Sequence, residues 1–299
     1  SIELAPTNAG AYSMLAGCYL NSNKPESAIE YANYALQLNP EDADAYSVRG
    51  LAYRNVGDLE NAVADAAAAI ELDPEDADAH KCRGGCYLVA GDFEMAIRDL
   101  SKAIHINPRD KGAYASRGRA YFHFNNYEQA INDLSHAIRM DANHYPALWA
   151  RAEVHLAMGS YPEAIMDSTV ALKKIPTDTY CLVIRAMAYY HFGNAELSIK
   201  DCMAALAIDP QHAEAATILA NAQQNPIGSQ NKHTTDLPTR KRSSNDSTSE
   251  PSDFCLTPPP PPPVPPLRTR RPIEERQTRR TTQPPPPPPP KKRPPQTNN

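Results

Sequence analysis

The sequence predicts an all-α fold, a solenoid of helical hairpins over residues 9–224, followed by a disordered, proline-rich tail over residues 225–299. Three observations lead to it: a 34-residue repeat, helical spacing of apolar residues within each repeat, and a change of composition after residue 224. The first part has nine prolines and a net charge of −12, whereas the second has 21 prolines and a net charge of +7. Only the first part is apolar enough to bury a core.

Six repeats align without a gap. The fourth place is Tyr in three repeats and the eleventh is Tyr in five, whereas the eighth is Ala or Gly and the twenty-seventh is always Ala. The fourth, eighth and eleventh places share one helical stripe, and later small residues share a stripe on a second helix, so two helices can pack closely in each unit. Turn residues such as Gly57-Asp58 separate the two helices. The repeats begin at Ala9, Ala43, Ala77, Lys111, Tyr145 and Thr179.

This pattern resembles the tetratricopeptide-repeat (TPR) family, and the resemblance covers about residues 1–224. It implies a right-handed superhelix with a concave groove lined by the first helix of each repeat. Residues 1–8 resemble the end of a truncated preceding repeat. Residues 213–224 resemble a terminal helix that covers the last hairpin, so residues 9–224 form six repeats and a cap.

A charge pattern departs from the family. Five repeats carry Arg at the seventh place and Asp at the twenty-third, whereas the first repeat has Leu15 and Tyr31. Pairing within a repeat leaves no charge alone, so we predict buried ion pairs that fix the helix register, in preference to a ligand-binding row of arginines. The predicted pairs are Arg49 with Asp65, Arg83 with Asp99, Arg117 with Asp133, Arg151 with Asp167, and Arg185 with Asp201.

The resemblance also assigns five places of each first helix to the groove. These are polar in the early repeats and become apolar and aromatic later, which favours a peptide-binding surface; the alternative is that these side chains fill gaps between repeats. Arg119 and Glu153 are expected to orient a bound segment. The predicted partner-binding residues are Arg54, Lys81, Leu88, Arg119, Phe122, His123, Trp149, Glu153, Leu156, Tyr180, Met187, Tyr190 and His191.

Several other functions are disfavoured. The sixth and ninth places of the repeats lack Asn, which argues against a chaperone-type carboxylate clamp and against the asparagine row of O-GlcNAc transferase. No nucleotide-binding or metalloprotease motif occurs, and Cys82 and Cys86 lack a second pair with which to bind zinc. We therefore expect no catalytic residues, no metal and no cofactor. No apolar run is long enough for a membrane span.

The tail contains two proline blocks, each followed by a basic residue. Pro263, Pro266 and Arg268 fit PxxPxR, and Pro287, Pro290 and Lys292 fit PxxPxK. These resemble SH3 ligands; profilin-type binding and a stiff spacer are the alternatives. Short basic clusters at residues 240–242 and 291–293 leave a nuclear location open beside the expected cytoplasmic one. They lack the aromatic residues that would favour binding of nucleic acid.

The leading functional hypothesis is a non-catalytic adaptor. Its groove would bind a peptide of one partner protein, and its tail would bind an SH3-domain or profilin-like protein. Two alternatives remain open: the recognition module of a larger enzyme, and a co-chaperone without a carboxylate clamp.

Overall fold

The computed structural model describes residues 8–224, and the regular structure in that range is entirely helical. The predicted tail ligands and almost all of the predicted preceding repeat therefore lie outside the described residues. The helices are α1 (Ala9–Asn21), α2 (Pro25–Leu38), α3 (Ala43–Asn55), α4 (Leu59–Leu72), α5 (Ala77–Ala90), α6 (Phe93–Ile106), α7 (Lys111–His123), α8 (Tyr127–Met140), α9 (Tyr145–Ala157), α10 (Tyr161–Lys174), α11 (Thr179–His191), α12 (Ala195–Ile208) and α13 (Ala213–Gln224).

The helices form a linear stack of hairpins. The odd-numbered helices α1 to α11 begin at the six repeat starts predicted from the sequence. Each packs against the second helix of its own hairpin and against the first helix of the neighbouring hairpin, and α13 packs on α11 and α12. The predicted all-α solenoid of helical hairpins is therefore confirmed.

Polar caps and left-handed turn residues set the helix boundaries. Asp42 and Asp76 cap α3 and α5 by accepting backbone N–H bonds, and Asp58 caps α4 in the same way. Gly57 and Gly91 have φ of 83° and 84° in the turns between the two helices of their hairpins. A left-handed residue ends a helix at little cost when it is Gly, which explains these turns.

The core of each hairpin depends on small side chains. Alanine at the twentieth and twenty-seventh places of the repeat is almost always fully buried. At Gly118, an added Cβ would lie 2.7 Å from Leu134 Cγ, so the glycine is what allows α7 and α8 to approach. None of the helices in residues 8–224 has the length and apolar character needed to cross a bilayer.

Candidate functional site

The arginine and aspartate side chains of five repeats form a ladder of bidentate ion pairs, each within one hairpin. In every pair, Asp Oδ2 accepts a hydrogen bond from Arg Nε at 2.7 Å. The second oxygen, Oδ1, accepts from Nη2 at 2.7 to 2.9 Å. All five aspartates are buried. The planar fork of Arg matches a carboxylate in this geometry and fixes both partners.

Four of these guanidinium groups also reach the preceding hairpin. Each donates from Nη1 to the side chain at the twenty-fifth place of that hairpin, at 2.6 to 3.2 Å. Arg83 makes no such bond among the described residues, because Ala67 occupies this place. This contact was not predicted, although polar residues recur at the twenty-fifth place of the repeat. The acceptors are Asn33, Ser101, Ser135 and Thr169.

Two tyrosine rings lie near the guanidinium group of Arg49 and of Arg117, and one lies near that of Arg185. The Arg117 guanidinium lies 5.7 Å from the Tyr114 ring and 5.8 Å from the Tyr121 ring. Burial opposes the charged form of Arg117, but the hydrogen bonds and charge of Asp133 outweigh it and raise the pKa of Arg117. Each ladder arginine is thus paired with the aspartate of its own hairpin.

The first hairpin fills the same region with aromatic rings. Tyr31 stands where the other repeats have Asp, and its ring stacks on Tyr19 at 5.0 Å. Tyr12 and Tyr34 complete the group, with ring centroids 5.9 Å apart. The joint absence of Arg and Asp from this repeat is therefore matched by apolar packing.

A connected group of polar and aromatic side chains lies on three successive first helices, α7, α9 and α11. The Arg119 guanidinium is 4.8 Å from the Trp149 ring. Trp149 makes an edge-to-face contact with Tyr180 at 5.4 Å, and the Tyr180 hydroxyl donates to Glu153 Oε1 at 2.5 Å. We call Arg119, Trp149, Glu153 and Tyr180 the groove cluster.

Burial shapes the titration of the groove cluster. Burial raises the pKa of the Glu153 carboxyl, although the Tyr180 hydrogen bond and the Arg119 charge oppose it. Burial also lowers the pKa of Arg119, since Glu153 compensates its charge only in part. The buried Nε of Arg119 has no hydrogen-bond partner among residues 8–224. The cluster therefore holds a charged donor whose hydrogen-bonding capacity is unused.

The groove residues of the earlier repeats are more polar, and Lys81 among them is paired with two carboxylates. Lys81 Nζ bonds Asp78 at 2.6 Å and Asp110, the cap of α7, at 2.7 Å. Arg54 makes only a long contact, 3.4 Å from Nη1 to the Lys81 carbonyl oxygen. Its Nη1 would lie 2.8 Å from a Cβ at Gly85, so the absence of a side chain there lets Arg54 lie across α5.

Other predicted groove residues lie nearer to the ends of their helices or are partly covered. His123 stacks on Phe93 of the preceding hairpin at 5.1 Å, and His191 stacks on Tyr161 at 5.4 Å. The remaining four are half-buried, and Met187 and Tyr190 pack against the core between α9, α11 and α13. These four are Phe122, Leu156, Met187 and Tyr190.

Leu88 departs from the predicted groove surface. Its side chain is 8% exposed and packs with Ala96, Leu100 and Ala120. Its neighbours are therefore core residues of α6 and α7, so Leu88 offers almost no area to a partner. The prediction was wrong because α7 covers the twelfth place of α5, whereas the same place in later repeats is only half covered.

The thiols of α5 are buried side chains. Cys82 and Cys86 are 0% and 1% exposed. In the range that the structure describes, no group of three or more His, Cys, Asp or Glu side chains is arranged to hold a metal ion.

Family comparisons agree with this repeat architecture. A tetratricopeptide-repeat model matches residues 15–84, and the model of the ETO1 C-terminal domain matches residues 77–225. The helical array of residues 8–224 is therefore an array of tetratricopeptide repeats. A comparison with curated protein sequences gave no match.

Solved structures of other tetratricopeptide-repeat proteins share the fold at low sequence identity. The chain matches one chain of the APC/C hetero-tetramer Cut9-Hcn1 at 18% identity and a TM-score of 0.67, over 74% of this chain and 44% of that one. It therefore spans less than half of that relative. It matches pilF of Pseudomonas aeruginosa at 17% identity and a TM-score of 0.63, over 71% of this chain and 97% of that one. It also matches YrrB, a tetratricopeptide-repeat protein with an unusual peptide-binding site, at 22% identity and a TM-score of 0.51. This match covers 62% of this chain and 96% of YrrB.

Proposed function

We propose that the protein is a non-catalytic adaptor whose concave groove binds an extended segment of a partner protein. The observation that supports this most directly is the groove cluster. Trp149, Tyr180 and Arg119 form a continuous surface across three first helices, and Tyr180 is 42% exposed. Trp, Tyr and Arg are the residue types that contribute most to binding energy in protein interfaces. A cytoplasmic location is part of this proposal.

The other tetratricopeptide-repeat proteins are consistent with a protein ligand. Cut9 and Hcn1 were solved together as a hetero-tetramer, and YrrB has a peptide-binding site. In this chain, each ladder arginine is paired with its own aspartate, which favours the groove cluster over the ladder as a recognition surface. The same surface would also serve as the recognition module of a larger enzyme or of a co-chaperone without a carboxylate clamp.

The test is replacement of two groove aromatics in the full chain. We expect the double variant Trp149→Ala with Tyr190→Ala to capture fewer partner proteins. Both rings lie on first helices, and each keeps part of its surface exposed for a bound segment. A matched control is Phe124→Ala with Phe192→Ala, two exposed aromatics at the ends of α7 and α11. Affinity capture with mass spectrometry measures the loss, and circular dichroism checks the helical content. Equal partner recovery by both double variants would contradict groove binding.

The tail is proposed to act separately, as an SH3-type or profilin-type ligand. This rests on the PxxPxR and PxxPxK sequences alone. In the same capture experiment, Arg268→Ala with Lys292→Ala should remove a different set of proteins from those lost by the groove variant. Recovery of SH3-domain proteins at an unchanged level would contradict an SH3 ligand in the tail.

A further inference from the structure

Arg54 and Arg119 are exceptional among the cations of residues 8–224. Both are half-buried on groove-facing first helices, and neither forms an ion pair there. The five ladder arginines and three lysines of this range are paired with carboxylates. The remaining cations that lack a pair are exposed to solvent: Lys24, Arg98, Arg109, Arg139, Lys173, Lys174 and Lys200.

The surroundings of Arg119 favour a ligand that supplies a carboxylate. Trp149 covers one face of the guanidinium, which leaves its edge of N–H donors as the unused part. The nearest acid, Glu153, already accepts the Tyr180 hydroxyl and makes no ion pair with Arg119. A half-buried charge with no hydrogen-bond partner is costly, so an incoming carboxylate that pairs with it gains more than one at an exposed arginine.

Arg54 extends this chemistry along the groove. It lies on α3 and Arg119 lies on α7, and the first helices between them pack successively. Packed helices lie about 8–10 Å apart, so two steps separate the side chains by roughly 20 Å. An extended segment advances about 3.3 Å per residue, so acidic residues roughly six positions apart would reach both arginines.

We propose that the groove is selective for internal acidic segments of partner proteins, with Arg119 as the main specificity-determining residue and Arg54 as a second one. This inference rests on the proposed peptide-binding function. A C-terminal carboxylate is the less favoured source, because the sixth and ninth places of the repeats supply no Asn to grip a chain end. The ligand class is therefore a linear segment with Asp or Glu side chains within its length.

The test is selection of random 12-residue peptides, displayed on phage with both ends fused or blocked, on the full chain and on Arg119→Gln and Arg54→Gln variants. We expect Asp and Glu to be enriched on the unmodified protein, and the enrichment to fall on Arg119→Gln. A selected peptide, made with a blocked C-terminus, should bind Arg119→Gln at least roughly tenfold more weakly, the loss expected for charge-assisted hydrogen bonds. Arg98→Gln, an exposed arginine of α6, is the matched control.

The outcomes separate the two levels of the proposal. If the selected peptides require Trp149 for binding but are not enriched in Asp and Glu, the inference is overturned and the proposed groove function stands. Acidic enrichment that persists equally on Arg119→Gln and Arg54→Gln would overturn the assignment of these residues. Binding that requires a free C-terminus would overturn the internal source, and failure to select any peptide would count against the proposed function itself. Thermal melts of the variants check that the fold is kept.

Discussion

At the scale of single residues, the ladder arginines join neighbouring repeats as well as the two helices of one hairpin. Arg117 bonds Asp133 in its own hairpin and Ser101 in the preceding one. A buried ion pair by itself adds little net stability, but it fixes the partners in one register. The additional bond to the preceding repeat therefore transmits that register along the stack.

The one interrupted contact of the ladder gives a direct prediction. Ala67→Ser would place a hydroxyl near the free Nη1 of Arg83, as Ser101 does for Arg117. We expect the free energy of unfolding to rise by about 0.5–1.5 kcal/mol, the usual contribution of one hydrogen bond. Denaturant unfolding followed by circular dichroism measures this change.

The control for this prediction removes the donor. In an Arg83→Leu background, the same Ala67→Ser change should give no gain, since no guanidinium remains to donate. An equal gain in both backgrounds would show that the serine acts through helix α4 alone and would contradict the inter-repeat bond.

At the scale of helices, the residues at the eighth and twenty-fourth places are matched in size in five of the six repeats. Gly84 and Gly118 face Leu100 and Leu134, and an added Cβ would lie 2.8 or 2.7 Å from the leucine Cγ. Repeats with Ala at the eighth place have Ala32, Ser168 or Cys202 at the twenty-fourth. In these five repeats the volume between the two helices is kept by a pair of residues, whereas the second repeat is small at both places, with Gly50 and Ala66.

This pairing predicts a compensated double variant. Gly118→Ala should destabilise the solenoid by about 1–3 kcal/mol, because the methyl group overpacks against Leu134. Adding Leu134→Cys, which reproduces the sixth repeat, should recover part of that loss even though Leu134→Cys alone opens a cavity. Thermal or denaturant unfolding of the four proteins gives the interaction energy. Additive losses would contradict the steric coupling.

The periodicity of the sequence was sufficient for the helices but not for every side-chain contact. Repeat phase predicts where α1 and its counterparts begin, because small residues at fixed places dictate which helical faces pack. Leu88 was misplaced, since a helical stripe does not tell how far the next hairpin covers it. The unpaired state of Arg119 was also beyond sequence reasoning, because it depends on Glu153 bonding Tyr180 across two helices.

At the scale of the whole molecule, residues 8–224 are held together by contacts between neighbours. Each helix packs only on its own hairpin and on the adjacent ones, with α13 closing the end on α11 and α12. Stability in such a stack is approximately a sum of repeat terms and nearest-neighbour interface terms. A local defect should therefore loosen one end of the solenoid before it affects the other.

Arg185→Ala tests this locality in the last repeat. It leaves buried Asp201 unpaired and removes the bond to Thr169, so we expect the opening free energy of α10–α13 to fall by about 3 kcal/mol. Amide hydrogen exchange should show this loss in α10–α13, while α1–α4 change by less than about 0.5 kcal/mol. Lys200→Ala, on the exposed face of α12, should leave both ends unchanged. An equal loss of protection from α1 to α13 would mean that the solenoid opens as a single unit, and the nearest-neighbour account would then be wrong.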